Sequence, residues 1–141
     1  MIFTELTKTA LVISFNAHKE QKDKAGMPYV YHPYRVAEQM RDEFSTCAAL
    51  LHDVVEDGGS SFEALEQVFP REVMDALRLL THDKSVPYLD YVRKIKTNPI
   101  AAAVKLADLA DNSNPDRLGT LSEKDLARIK KYSEARRILS E

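Results

Sequence analysis

The sequence predicts an all-α domain, an irregular set of helices rather than a symmetric bundle. Apolar residues recur at three- and four-residue spacing along the chain, and no stretch alternates convincingly as a strand would. Proline, glycine and capping residues break that periodicity at intervals suited to short helices. A chain of 141 residues fits one domain, taken here as residues 1–141.

Leu6, Ala10, Ile13 and Ala17 define a first helix that ends before Gly26-Met27-Pro28. Tyr29-Val30-Tyr31 reads as an extended entry to a second helix, with Pro33 in its first turn, running to about Asp42. A third helix spans about 45–57, burying Ala48, Leu51 and Val55, and is stopped by Gly58-Gly59. Ser60 or Ser61 caps a short helix through Val68, supported by Glu63. Pro70 opens a helix that ends near Thr81, and 88–95 forms the next. Asn98-Pro99 stops that one and caps a helix over 100–111. Asn114-Pro115 breaks the chain again, and Ser122 with Asp125 starts a charged final helix reaching about Leu139.

Composition narrows the function classes. A hydrophobic content of 44% supports one core, and no apolar run approaches the roughly 20 residues that span a bilayer. The first residues lack the basic start and apolar stretch of a signal peptide. Cys47 is the only cysteine and sits among alanines and leucines, which makes it a small core residue. A cytoplasmic protein is expected. Net charge of −2 and a pI near 6.1 argue against nucleic-acid binding. The basic residues of the last helix are interleaved with Glu123, Asp125, Glu134 and Glu141, as on a solvated face. The sequence does not set an oligomeric state.

Three polar clusters stand out: His32 in Pro28-Tyr29-Val30-Tyr31-His32-Pro33, the segment from His52 to Asp57, and Lys105-Leu106-Ala107-Asp108 with Asn112. An adjacent His52-Asp53 pair can offer an imidazole nitrogen and a carboxylate oxygen to one metal ion. Glu56 and Asp57 follow one turn later, at a helix end where the macrodipole disfavours each by roughly 0.3–1 kcal/mol, a placement that points to function. Lys105, Asp108 and Asn112 fall on one helical stripe. Two histidines and two aspartates from separate helices make a mixed N/O site, suited to manganese, iron or zinc better than to calcium. The bland alternatives are a capping histidine at His32, a solvated helix end at Glu56-Asp57 and a helix cap at Asn112. His18 is expected to orient local structure and His82 to lie near the surface.

Taken in order, Ala17-His18, Gly26, Pro28-Tyr29, His32-Pro33, Leu51-His52-Asp53, Glu56-Asp57 and Lys105-Leu106-Ala107-Asp108 with Asn112 resemble the HD superfamily of metal-dependent phosphohydrolases. The likeness is greatest to the alarmone-hydrolase branch of the RelA/SpoT-like proteins. The resemblance implies an all-α HD-domain fold and a divalent ion, usually Mn²⁺ with Fe²⁺ or Zn²⁺ as alternatives, held by His32, His52, Asp53 and Asp108. It further implies Glu56 and Asp57 as the catalytic acid pair and Asn112 on the substrate's ribose or phosphate, and Lys24 and Lys105 become candidates for phosphate contacts. The implied reaction is removal of pyrophosphate from the 3′ position of guanosine 3′,5′-bis(diphosphate), in a hydrolase-only small form. The chain departs from the family in two places. Asp23 stands where an arginine usually stacks on guanine, and Asp111 stands where a histidine is frequent. An HD phosphohydrolase acting on another nucleotide or phosphoester, and a non-catalytic nucleotide- or metal-binding sensor, remain alternatives.

Overall fold

The computed structural model describes residues 1–141, the side chain of Leu118 excepted. Nine helices follow one another among the described residues: α1 Glu5–His18, α2 Tyr31–Glu38, α3 Glu43–Leu51, α4 Phe62–Glu66, α5 Arg71–Leu80, α6 Tyr88–Ile95, α7 Pro99–Asn112, α8 Pro115–Leu118 and α9 Glu123–Ser140. The only extended pairing among them is an isolated antiparallel bridge between Lys22 and Pro28. The all-α expectation holds, and among the described residues no helix is long and apolar enough to cross a membrane.

Helix α3 is the hub, packed against α1, α2, α5 and α7. Every residue from Ser45 to Leu51 is buried, with Cys47, Ala48 and Ala49 small enough to admit neighbours on all sides. Around it, α5 contributes Val73, Met74, Ala76, Leu77 and Leu80, and α7 contributes Ala101, Val104 and Leu109. Helix α9 packs on α6 and α7 and buries Ala135, Ile138 and Leu139 near its end. The expected caps appear at Ser61, at Asn98 before Pro99, and at Ser122, where Asp125 completes a capping box.

Four boundaries differ from expectation. Helix α2 ends at Glu38 rather than Asp42, because the Asp42 carboxylate caps the next helix by accepting from Ser45 N at 2.8 Å. Val30 and Tyr31 belong to a helical entry instead of an extended one. Asn114-Pro115 opens the short helix α8 as cap and first-turn proline. Most consequential, α3 stops at Leu51 and leaves 52–58 as consecutive turns. The His52 ring competes for the helix ladder, with Nδ1 2.6 Å from Ala49 O. Backbone bonds then tighten to three-residue spacing at Val54→Leu51 and Gly58→Val55.

The turn run lies against the end of α1. A Cβ at Gly59 would sit 2.3 Å from Ala17 Cβ, so only glycine permits this approach. Gly58 supplies a positive φ of 78° just before it.

Candidate metal centre

Three elements bring the predicted ligands together. His32 comes from the first turn of α2, His52 and Asp53 from the turns after α3, and Asp108 from the middle of α7. One ligand atom each from His32, His52 and Asp53 lie within 4.8 Å of one another. Asp108 Oδ1 adds contacts of 2.8 Å to His32 Nε2 and 3.4 Å to His52 Nε2. His52 Nε2 also lies 3.1 Å from Asp53 Oδ2, and His32 Nε2 lies 3.8 Å from it. Donors held about 2.0–2.2 Å from one ion stand about 3–3.5 Å from each other, so the spacing fits a divalent ion with little movement.

The orientation of the rings supports the same fit. His52 Nε2 is fully buried, and neither nearby carboxylate meets it with hydrogen-bond geometry. Its Nδ1 can only donate to the Ala49 carbonyl, which leaves the lone pair on Nε2 facing the cluster. His32 Nδ1 faces Asp111 Oδ2 at 2.6 Å, directing its Nε2 to the cluster as well. Outer partners of this kind fix the tautomer of metal-binding histidines. Burial lowers the proton affinity of both imidazoles, yet Asp108 and Asp111 at His32, and Asp53 and Asp108 at His52, outweigh it and raise both. The cluster is therefore strongly attractive to positive charge.

The two carboxylates are anchored differently. Burial pushes Asp53 up, but the two histidines, His52 foremost, hold its carboxyl down at about 2. Tyr29 donates its hydroxyl to Asp53 Oδ2 at 2.5 Å. Asp108 is held well below the usual carboxylate range despite burial, chiefly by Lys105 Nζ 3.0 Å from Oδ2, with Asn112 Nδ2 donating to Oδ1 at 3.0 Å. The predicted stripe of Lys105, Asp108 and Asn112 is thus a connected set of side chains.

Glu56 and Asp57 diverge. Glu56 lines a cleft of about 160 Å³ with His52, Asp53, His82, Tyr88, Tyr91, Lys105 and Asp108, and its Oε1 accepts from His82 N at 2.7 Å. Asp57 turns toward α1, with Oδ2 3.4 Å from His18 Nδ1. Burial, followed by the charge of Asp53, raises the Asp57 carboxyl. His18 is buried and also meets Gln21 Oε1 at 3.0 Å, in keeping with a local orienting role. His82 departs from expectation: it is half-buried, stacked on Tyr91, and part of the cleft wall.

A second cleft, about 260 Å³, opens on the Tyr29 and Asn112 side and is lined by Lys22, Asp23, Lys24, Arg117, Arg128 and Tyr132. Lys24 is placed there, with Nζ 3.4 Å from Asp125. Lys105 belongs to the first cleft, half-buried against Tyr88 and Tyr91 and paired with Asp108. From sequence, Tyr29, Tyr31 and Tyr34 could either pack as core or line the pocket, and Tyr29 lines the second cleft; sequence reasoning missed Arg117 and Arg128 as lining residues and Asp111 as the partner of His32. A carboxylate one turn beyond Asp108 on the same helix is the signal that could have found Asp111. Arg117 gave none, since its contacts to Asp23, Asp111 and Asn112 depend on α8.

Helices surrounding an adjacent His-Asp pair, with a histidine and an aspartate converging from two further helices, define the HD-domain class. The chain belongs to that family, whose profile, described as HD domain, matches residues 10–107. It is 38% identical over 108 residues to the guanosine-3′,5′-bis(diphosphate) 3′-pyrophosphohydrolase MESH1 of Drosophila melanogaster, covering 67% of this chain and 60% of that protein. The MESH1 of Danio rerio is 37% identical over 111 residues, covering 70% and 62%. The bifunctional (p)ppGpp synthase/hydrolase SpoT of Escherichia coli K12 is 30% identical over 137 residues, covering 86% of this chain and 19% of that one. The chain thus spans about 60% of the length of the MESH1 relatives. A solved structure, described as a metazoan ortholog of SpoT that hydrolyzes ppGpp and plays a role in starvation responses, superposes with a TM-score of 0.79 at 28% identity. It covers 99% of this chain and 88% of that one.

Proposed function

We propose that this chain hydrolyses guanosine 3′,5′-bis(diphosphate), releasing the 3′-pyrophosphate, with one divalent ion held by His32, His52, Asp53 and Asp108. The observation that carries the proposal is the convergence of those four side chains with both imidazoles oriented from behind, by Asp111 and by Ala49 O. The names of the relatives supply the substrate class. The mixed N/O donor set favours manganese, with iron or zinc next.

A divalent ion in this cluster supplies Lewis acidity toward phosphate oxygens and lowers the pKa of the attacking water. The new bond joins water oxygen to the phosphorus next to the ribose; the bond from that phosphorus to O3′ breaks, and pyrophosphate leaves. Glu56, facing the same cleft as His52, Asp53 and Asp108, takes the proton of the water or returns one to O3′. Asp57, turned to His18, is the second acid of the pair and acts by holding the turn that presents Glu56. Lys105 neutralises Asp108 and lines the cleft where phosphate would lie. Asn112 and Lys24 line the second cleft, on the nucleoside side. A cytoplasmic setting suits a chain whose one cysteine is buried and unpaired.

Asp23 favours a second reading, a related phosphoester without guanine stacking, because its carboxylate lines the second cleft. A panel of guanosine and adenosine polyphosphates, assayed with manganese and after chelation, tests both. Metal-dependent pyrophosphate release from the guanosine substrate is expected. Turnover confined to another phosphoester would replace the substrate and keep the chemistry; stoichiometric metal or nucleotide binding without turnover of anything would leave a sensor.

A further inference from the structure

Glu56 reaches the cleft from an irregular run of turns, and a flexible carboxylate on such a segment needs something to hold it. Among the described residues the hydrogen bond to its side chain comes from the backbone N–H of His82, 2.7 Å from Oε1, in the 81–87 connection between α5 and α6. That connection is exposed at Asp83, Lys84 and Ser85; its own bonds, Val86 N to Asp83 O and Ser85 N to Asp83 Oδ1, both 2.9 Å, close the turn beyond residue 82 and do not engage the His82 N–H. What anchors residue 82 is its ring. It stacks on Tyr91 with centroids 4.4 Å apart and planes at 26°, and meets Tyr88 edge-on at 5.9 Å. Its Nε2 lies 2.8 Å from Val86 O, an acceptor only, so Nε2 carries the proton and donates. Tyr91 is fixed in turn by donating its hydroxyl to Leu80 O at 2.5 Å. The ring therefore ties both ends of the connection to one another and to α6.

We propose that His82 is a positioning residue for Glu56: its ring locks the 81–87 connection so that its backbone N–H holds one oxygen of the Glu56 carboxylate beside His52, Asp53 and Asp108. The inference rests on Glu56 as the acid/base of the proposed reaction. Because the donor is a backbone group, no side-chain change at 82 short of proline removes it, and the other changes act by letting it wander. A shift of about 1 Å in a catalytic group costs on the order of a hundredfold in rate, so His82→Ala should reduce kcat about ten- to a hundredfold. The loss should fall on kcat more than on KM, because the ring stands in the wall of the first cleft but outside the second, and bound metal should stay stoichiometric because no ligand is touched. His82→Gln offers an N–H toward Val86 O without the ring, and His82→Phe offers the ring without the N–H; both should fall between wild type and His82→Ala.

Two measurements separate positioning from mere packing. The first is a double-mutant cycle on folded, metal-loaded protein. With Glu56 already replaced by Gln, adding His82→Ala should cost little more, because the group being placed has lost its chemistry. Multiplicative losses in the double variant, or a His82→Ala loss that only tracks the unfolded fraction, would overturn the proposal. The second measurement needs no turnover. Amide hydrogen exchange at His82 should be at least several-fold faster in Glu56→Ala than in wild type, since the N–H has lost its acceptor; an unchanged rate would overturn the latch. If wild type releases no pyrophosphate from the guanosine substrate but cleaves another phosphoester, the substrate assignment fails alone. The cycle is then run on that phosphoester, while the exchange result stands by itself.

Discussion

Asp111 Oδ2 stands 2.6 Å from His32 Nδ1, across the ring from the Nε2 that faces Asp108. Arg35 and Arg117 grip the same carboxylate at 2.8 Å each. Burial pushes the Asp111 carboxyl up, yet the His32 and Arg35 hydrogen bonds outweigh it and hold it at about 2. The aspartate thus does for His32 what the Ala49 carbonyl does for His52: it accepts the Nδ1 proton and turns Nε2 to the cluster.

Replacing Asp111 by Asn keeps the shape but removes the charge that makes His32 a good donor. Losing an outer partner of this kind typically weakens metal binding about 10- to 100-fold. Titration of metal-free protein with Mn²⁺ should show a loss in that range for Asp111→Asn. A dissociation constant unchanged within twofold would reduce Asp111 to an anchor for Arg35 and Arg117.

Metal binding should be visible in stability. An ion bound only to the folded chain at a hundred times its dissociation constant adds about 2.7 kcal/mol, on the order of 5–10 °C in Tm for a chain of this size. Chelation should lower the Tm of wild type by that amount, while Asp108→Asn should lose most bound metal and activity together and respond little to chelator. Stoichiometric metal with full turnover in Asp108→Asn would remove that residue from the ligand set.

The adjacent acids should separate in their effects. Glu56→Gln removes the proton-transfer group and should reduce kcat by about 10²–10⁴-fold with normal metal content. Asp57→Asn leaves that group in place but weakens the contact with buried His18, so its main effect should be on Tm, with a smaller loss in kcat. Steady-state kinetics and melting curves on both variants decide it; equal kcat losses at unchanged Tm would make Asp57 a direct participant.

The helices were legible because periodicity and capping are local: Asn98-Pro99 and Ser122 with Asp125 needed no tertiary information. The four proposed metal ligands were legible as types in a recognisable order, and they do converge. What the sequence concealed is where a side chain overrides the backbone pattern. Leu51 to Asp57 continues the helical apolar spacing, yet the His52 ring takes up the Ala49 carbonyl and the helix ends. Glu56 and Asp57 looked like a pair because they are neighbours in sequence; the turns send them to opposite sides. His82 looked like a surface residue because its partners, Tyr91 and Glu56, come from other elements.

Gly58 and Gly59 read as one helix stop but have different tasks. Gly59→Ala would force Cβ to within 2.3 Å of Ala17 Cβ, a methyl fixed on α1 with no flexible end to yield. Overpacking of this kind costs about 1–3 kcal/mol, and the displaced turns carry His52 and Asp53. Chemical denaturation should show that loss together with weaker metal binding. Wild-type stability in Gly59→Ala would mean that α1 and the turns slide apart freely.

Asp23 allows the sharpest test of substrate recognition. Read from sequence, it is a missing arginine, and restoring the arginine should stack on guanine and tighten binding. Its contacts point the other way. Asp23 Oδ1 accepts from Ala25 N and Met27 N, both at 2.9 Å, and Oδ2 lies 3.4 Å from Arg117. The carboxylate therefore closes the turn that carries Gly26 and holds a cation in the second cleft. Asp23→Arg removes both acceptors and sets a new cation against Arg117. It should lower Tm and raise KM for guanosine and adenosine polyphosphates alike, with kcat little changed. Asp23→Asn keeps an acceptor for the turn and isolates the charge. Burial pushes the Asp23 carboxyl up, but the N–H groups of Met27 and Ala25, then Arg117, outweigh it and hold it below its ordinary 3.8. A folded-state value below the unfolded one gives stabilisation that is fully present above the ordinary value and is lost as the pH falls from there through the folded-state value. The Tm gap between wild type and Asp23→Asn should accordingly be constant near neutral pH and shrink as the solution is taken below about pH 4. A several-fold fall in KM for the guanosine substrate alone in Asp23→Arg would restore the missing-arginine reading and make the Arg117 contact incidental.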